Sequence, residues 1–261
     1  MIGIWLLAIG LLSSQAQNTQ SSHDLKPGWE LTASFKAKQA TQAAAADEHF
    51  FYAISNTHVA KYDRQTGKTI SASTSPGSKH LNSGYFHAGK LYCAHSNYPA
   101  LPEESDIRVY DPEKETLSIF HRFEKPPGSL VWCLRDPREP CWWCCFAHYG
   151  AENGKTFLAK MDDGFVETKR WTFPKNVVAD WDKMSASGGI WDQDTLLVSH
   201  HHFKVLYRLR VPTEGTELEW VESLACPFPG QGIAVDPKVA GGLVGIDRYA
   251  GSVLFGSKSK K

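Results

Sequence analysis

The sequence lacks an excess of either charge: 28 Lys and Arg balance 28 Asp and Glu, so the formal net charge is zero. Without a basic surplus the chain has little with which to neutralise phosphates, and nucleic acid is excluded as the expected partner. It also lacks an apolar run long enough to span a bilayer, since Ile2 to Leu12 falls well short of the ~20 residues a transmembrane helix needs. Helical periodicity is nearly missing, which argues against an α or α/β architecture. There is no Ser nucleophile elbow, no phosphate-cradling Gly-rich loop and no dinucleotide fingerprint. Cysteine is sparse, with 6 residues. The run Cys141-Trp-Trp-Cys-Cys145 contains a C-x-x-C, but no second Cys or His pair follows at zinc-ribbon spacing, so neither a structural zinc nor any other cofactor is expected.

What is present begins with Met1 to Ala16, where an apolar run precedes Ser14-Gln15-Ala16, small residues at the positions a signal peptidase reads. This predicts a signal peptide over 1–16, a linker over 17–28, a propeller domain over 29–256 and a basic tail over 257–261, in a secreted or periplasmic monomer. Export permits disulfides. Most of the cysteines, however, sit in apolar strand-like runs, where free Cys packs as a small hydrophobe, so core packing with at most one disulfide is expected.

A repeat with a period of roughly 40 to 60 residues organises the rest. Each unit opens on a strand of small residues: Gln42 to Asp47, Asn82 to Phe86, Gly128 to Trp132, Ser187 to Trp191 and Gln231 to Val235. A second, almost wholly apolar strand follows in each, at Phe50 to Ile54, Leu91 to Ala94, Trp143 to Ala147, Leu196 to Ser199 and Leu243 to Ile246, as expected of strands buried on both faces. Third strands start near Val59, Ile107, Thr156, Val205 and Ser252. Fourth strands follow in the first four units only. Trp29 to Phe35 has the alternation of an outer strand and supplies the missing one. The fold predicted is all-β, a five-bladed β-propeller closed by its N-terminal strand, with a six-bladed ring as the alternative.

Radial repetition brings equivalent loops to one place. The second-to-third-strand connections carry His95, Asn97 and Tyr98, then His148 and Tyr149, then His200-His201-His202, then Asp247-Arg248. The first strands add Gln42, His80, Asn82, Ser129, Ser187 and Gln231. A concave mouth with convergent polar groups is the default binding-site expectation. Within it, His95 and His201 are the expected proton-transfer groups, and Arg248 is the expected clamp for an anion. His95, His148 and His201 together offer a possible set for a divalent metal, but carboxylates are scarce there and no metal is assigned.

The segments QAAAAD (42–47), HVAKYDRQTGK (58–68), KHLNSGYFHAGKLYCAHSNYP (79–99), SASGGIW (185–191) and GQGIAVDP (230–237) resemble a group of secreted bacterial propeller proteins labelled cycloisomerase, distantly similar to the propeller-type carboxymuconate lactonising enzyme. His200-His-His202 departs from that group, in which Gly-His-Asp is expected. The resemblance implies a cofactor-free isomerase or lyase acting on a small, anionic carboxylated or lactone substrate, with proton transfer by His95 or His201 and anion binding by Arg248. Two alternatives stand beside it: a metal-dependent lactonase, and a non-catalytic propeller scaffold for sugar or protein.

Overall fold

Small residues open each repeat because of where the strands meet. The computed structural model describes residues 24–260, and in it the strands form five sheets set in a ring, giving a five-bladed β-propeller rather than the six-bladed alternative. Blade I contains Ala43–Ala46, Phe50–Ile54, Val59–Asp63 and Thr69–Ser73. Blade II contains His80–His87, Lys90–Ser96, Ser105–Asp111 and Thr116–Phe123. Blade III contains Ser129–Arg135, Trp142–Ala147, Phe157–Met161 and Glu167–Thr172, and blade IV contains Gly188–Asp192, Thr195–Ser199, Val205–Arg210 and Glu219–Ala225. Ala234–Asp236, Gly242–Asp247 and Ser252–Lys258 make up blade V together with Trp29–Lys36 from the start of the chain.

Each blade runs antiparallel from an inner strand near the axis to an outer one at the rim. Inner and second strands are almost entirely buried, whereas the outer strands alternate toward solvent. The core is therefore not one central cluster. It lies in the seams between neighbouring blades: Phe51, Ile54 and Leu81 pack with Val253 and Phe255, while Trp132, Trp143 and Trp171 pack with Val198 and Tyr207.

At the axis the inner strands touch. A Cβ placed on Gly232 would lie 2.6 Å from Cβ of Ala43 and 2.9 Å from Oγ of Ser83, and one on Gly188 would lie 2.9 Å from Cα of Gly232. Backbone joins blade I to blade V here as well, with the Gly232 N–H donating to the Gln42 carbonyl at 2.9 Å. Only Gly, Ala and Ser fit such an approach, which explains the composition of the repeat's first strand.

The ring closes through the N-terminal strand. Trp29 pairs with Lys258 and Phe35 with Val253, and the Trp29 indole donates to the Gly241 carbonyl at 2.8 Å. Its partner Ser252–Lys258 extends past the expected domain end at 256, so the residues expected as a tail from 257 begin inside the sheet. Within the stretch expected as a linker, Leu25–Lys26 adds a short parallel pairing to the outer edge of blade IV. The expected signal peptide lies outside the described residues. Among those described, no helix is long and apolar enough to cross a membrane. The longest departure from the repeat, between blades III and IV, holds a six-residue helix, Lys175–Asp180. All six cysteines are free and buried, so the one disulfide allowed by the sequence is not formed.

Candidate functional site

One residue per blade, standing just before the crowded axis, forms the floor of a cavity: Gln42, Asn82, Val131, Ser187 and Gln231. His80, Tyr98, Tyr149, Met184, His201 and Arg248 make its walls, enclosing about 220 Å³. Gln42, His80, Asn82, Tyr98, Tyr149, Ser187, His201, Gln231 and Arg248, all expected from the sequence, are thus brought together. Several of the floor amides are already engaged. Asn82 donates to the Leu130 carbonyl at 2.9 Å, Gln42 to the Asn56 side chain at 2.6 Å and Gln231 to the His201 carbonyl at 2.9 Å. Gly230 lets the chain pass this closely, since a Cβ there would collide with the His201 carbonyl, and its φ of +83° is one that L side chains rarely adopt.

Among the described residues, no Asp or Glu lines the cavity. Arg248 reaches it half-buried, and among the described residues no carboxylate pairs with its guanidinium. Its neighbour Asp247 is occupied otherwise, accepting the N–H groups of Tyr249 and Ala250 at 3.0 and 2.9 Å. Two imidazoles flank the cation. Burial, then the positive fields of His95 and Arg248, lowers the His80 pKa to about 4. Burial, then His202 and Arg248, lowers that of His201 to about 3. Both are neutral at physiological pH. His201 Nδ1 is 3.0 Å from His202 Nε2, whereas the ring nitrogens of His80 meet no hydrogen-bond partner among the described residues.

Five expected site residues lie elsewhere. His95 does not reach the mouth, because the second strand of blade II extends to Ser96 and carries His95 into the sheet opposite Asp106. There its Nε2 accepts the Lys79 N–H at 2.9 Å and its Nδ1 faces Asp106, beside a separate cavity of about 260 Å³. Ser129 is displaced by a β-bulge between Leu130 and Trp132, which moves Val131 into the floor position instead. Its hydroxyl donates to Ser96 at 2.9 Å. Asn97 holds its own loop through Pro102 and Glu104. Asn97, Ser129 and His148 line a third cavity of about 270 Å³ beyond Tyr98 and Tyr149, and Asp247 caps its turn as described. His95, His148 and His201 therefore sit at three different cavities, and the metal set they offered on paper is not assembled. Among the described residues, ligand-type atoms of Asp136, Glu139 and Cys141 do lie within 4.8 Å of one another, with Asp136 already bonded to Arg138 and Trp143.

Sequence reasoning missed Val131 and Met184. It also missed Arg108, which is fully buried and bonded to Asp106, Ser75, Ser78 and the carbonyls of Pro76 and Gly77. Alternation could have signalled Arg108, since Asp106 and Arg108 share one face of their strand.

No protein-family model matches the chain, and no curated protein matches it. Among solved structures, the glutaminyl cyclase of Myxococcus xanthus aligns over 89% of this chain and 98% of its own, with a TM-score of 0.55 and 9% identity. The likeness is one of fold. A chain of the mitotic checkpoint complex (100% of each chain, TM-score 0.48, 8% identity) and the WD40 domain of Toxoplasma gondii coronin (82% of this chain and 54% of that one, 0.44, 13%) also align. The cycloisomerase resemblance finds no support at the level of a family or sequence match.

Proposed function

We propose that the mouth of the propeller captures a small carboxylated or lactone substrate on Arg248 and acts on it by proton transfer, as a cycloisomerase- or lyase-type enzyme. The observation that carries this reading is that, among the described residues, the Arg248 guanidinium has no carboxylate partner and no acid lines its cavity. A half-buried cation placed in this way favours an anion, and guanidinium pairs carboxylate bidentately.

The proton chemistry falls to His80 rather than His95. In lactone formation from an unsaturated acid, a carboxylate oxygen bonds to one alkene carbon while the neighbouring carbon gains a proton; in the reverse direction that proton is removed as the C–O bond breaks. A group alternating between imidazole and imidazolium supplies both directions. His80 has free ring nitrogens in the cavity, and a carboxylate bound beside it raises its pKa from about 4 toward the working range. His201, tied to His202, is the positioning partner.

Binding without turnover is the second reading, favoured by the low basicity of both empty-site imidazoles. The propeller fold hosts enzymes and scaffolds alike. The test is a screen of small lactones and unsaturated acids with and without chelator, on the natural protein, Arg248→Ala and His80→Gln. Arg248→Ala is expected mainly to raise KM, and His80→Gln to lower kcat on the order of 100-fold or more. Turnover unchanged in both variants overturns the assignment, loss to chelator alone supports the metal-dependent lactonase, and ligand binding without turnover supports the scaffold.

A further inference from the structure

The mouth is not isolated. Tyr98 and Tyr149, whose ring centroids lie 4.4 Å apart, line it on one side and line the cavity of about 270 Å³ on the other. That second cavity is walled by Pro99, Ala100 and the strongly exposed Leu101, an apolar side chain with little to cover it. Glu103, half-buried and with no cation paired to it among the described residues, stands at its edge. The two chambers thus differ in electrical character across a shared aromatic wall: among the described residues, a cation without acids on one side, and on the other the unpaired Glu103 together with Glu152, which is neutralised by Lys155, beside the apolar Pro99–Leu101 segment.

Resting on the reading that Arg248 binds a carboxylate, we infer that the ligand is an elongated monocarboxylate, its head in the mouth and its apolar body beyond the tyrosine pair. An apolar chain gains from burial against Tyr98, Ala100 and Leu101. A second carboxylate at the far end would meet Glu103, and like charges in a partly desolvated space repel. The site therefore selects against diacids of the same length.

Calorimetric titration with acetate, hexanoate and adipate tests this on the whole protein. Hexanoate is expected to bind about 10-fold or more tightly than acetate, given the methylene groups it adds, and adipate more weakly than hexanoate. Leu101→Ser should shrink the gain of hexanoate over acetate, Glu103→Gln should lift adipate toward hexanoate, and Arg248→Ala should weaken all three. Acetate and hexanoate binding equally well, both lost in Arg248→Ala, would overturn the second-chamber inference while leaving the anion-binding mouth intact. Adipate equal to or tighter than hexanoate would overturn the diacid exclusion. No binding of any of the three would remove the mouth reading and this inference with it.

Discussion

Nδ1 of His95 lies 3.0 Å from Oδ1 of Asp106, and the same carboxylate oxygen accepts the Nε–H of Arg108 at 3.0 Å. Burial works against the charge on Asp106, but His95 and Arg108 outweigh it and hold the carboxyl below its ordinary range. Arg108 in turn binds the segment from Ser75 to Ser78, so the trio fastens the connection between blades I and II.

His95→Ala is therefore expected to cost stability rather than proton transfer. Removing one member of a buried polar network leaves partners unsatisfied, at about 2 to 4 kcal/mol, which lowers Tm by roughly 4 to 16 °C in a domain of this size. Thermal unfolding checks the first effect. A His95→Ala protein with natural Tm would show that the network carries no load, and one with natural Tm but abolished turnover would return His95 to the chemistry.

Acid should weaken the fold before carboxylates titrate. The imidazoles of His80 and His201 have pKa values near 4 and 3 in the folded protein, against ~6.5 in an unfolded chain. Above about pH 7 both states are neutral and these groups contribute nothing. Below about pH 6.5 the unfolded state binds protons that the folded state refuses, so stability rises with pH across this window and falls on acidification toward pH 4 and then 3. Unfolding midpoints at pH 7, 5.5 and 4.5 should show the decline, and His80→Gln with His201→Gln should lessen it, leaving the part due to His121, His200 and His202, which burial also lowers. An equal decline in the double variant would locate the sensitivity elsewhere.

Thiol reagents should find little to attack. Burial pushes the Cys133 and Cys226 thiols up to about 12 and Cys141 to about 11, and Cys144 and Cys145 are raised well above the ordinary range for the same reason. The thiolate is the reactive form. Labelling followed by mass spectrometry should report slow modification of the native protein and fast modification in denaturant; rapid native labelling at any of these positions would contradict the packing.

Removing the chain through Phe35 should open blade V. The strand Ser252–Lys258 then presents unpaired backbone groups along its length, a template for pairing between molecules. Size-exclusion chromatography is expected to show higher oligomers and a lower Tm. A monomeric truncated protein of unchanged Tm would mean the closing strand is dispensable.

Repetition made the blades legible in the sequence. Phe50–Ile54 is read to the residue and the next strand from its first residue, Val59, and the closing strand is found because its unit lacks an outer strand. Most of the mouth follows from the same periodicity. What escaped it are local breaks in the period: the bulge that exchanges Ser129 for Val131, and the added strand length that draws His95 into the sheet. Met184 arrives from the long connection after the helix, which has no counterpart in the other blades. Periodicity places equivalent positions, but it cannot register a shift of one or two residues that changes which face a side chain takes.

The close approach of Ala43, Ser83, Gly188 and Gly232 has a kinetic consequence. With the axis filled beneath its floor, nothing that enters the mouth can pass on through the ring; it must leave on the face by which it came. On the reading proposed above, product and incoming substrate then meet on that one face and compete for Arg248, so product is expected to inhibit competitively and its release to limit the rate.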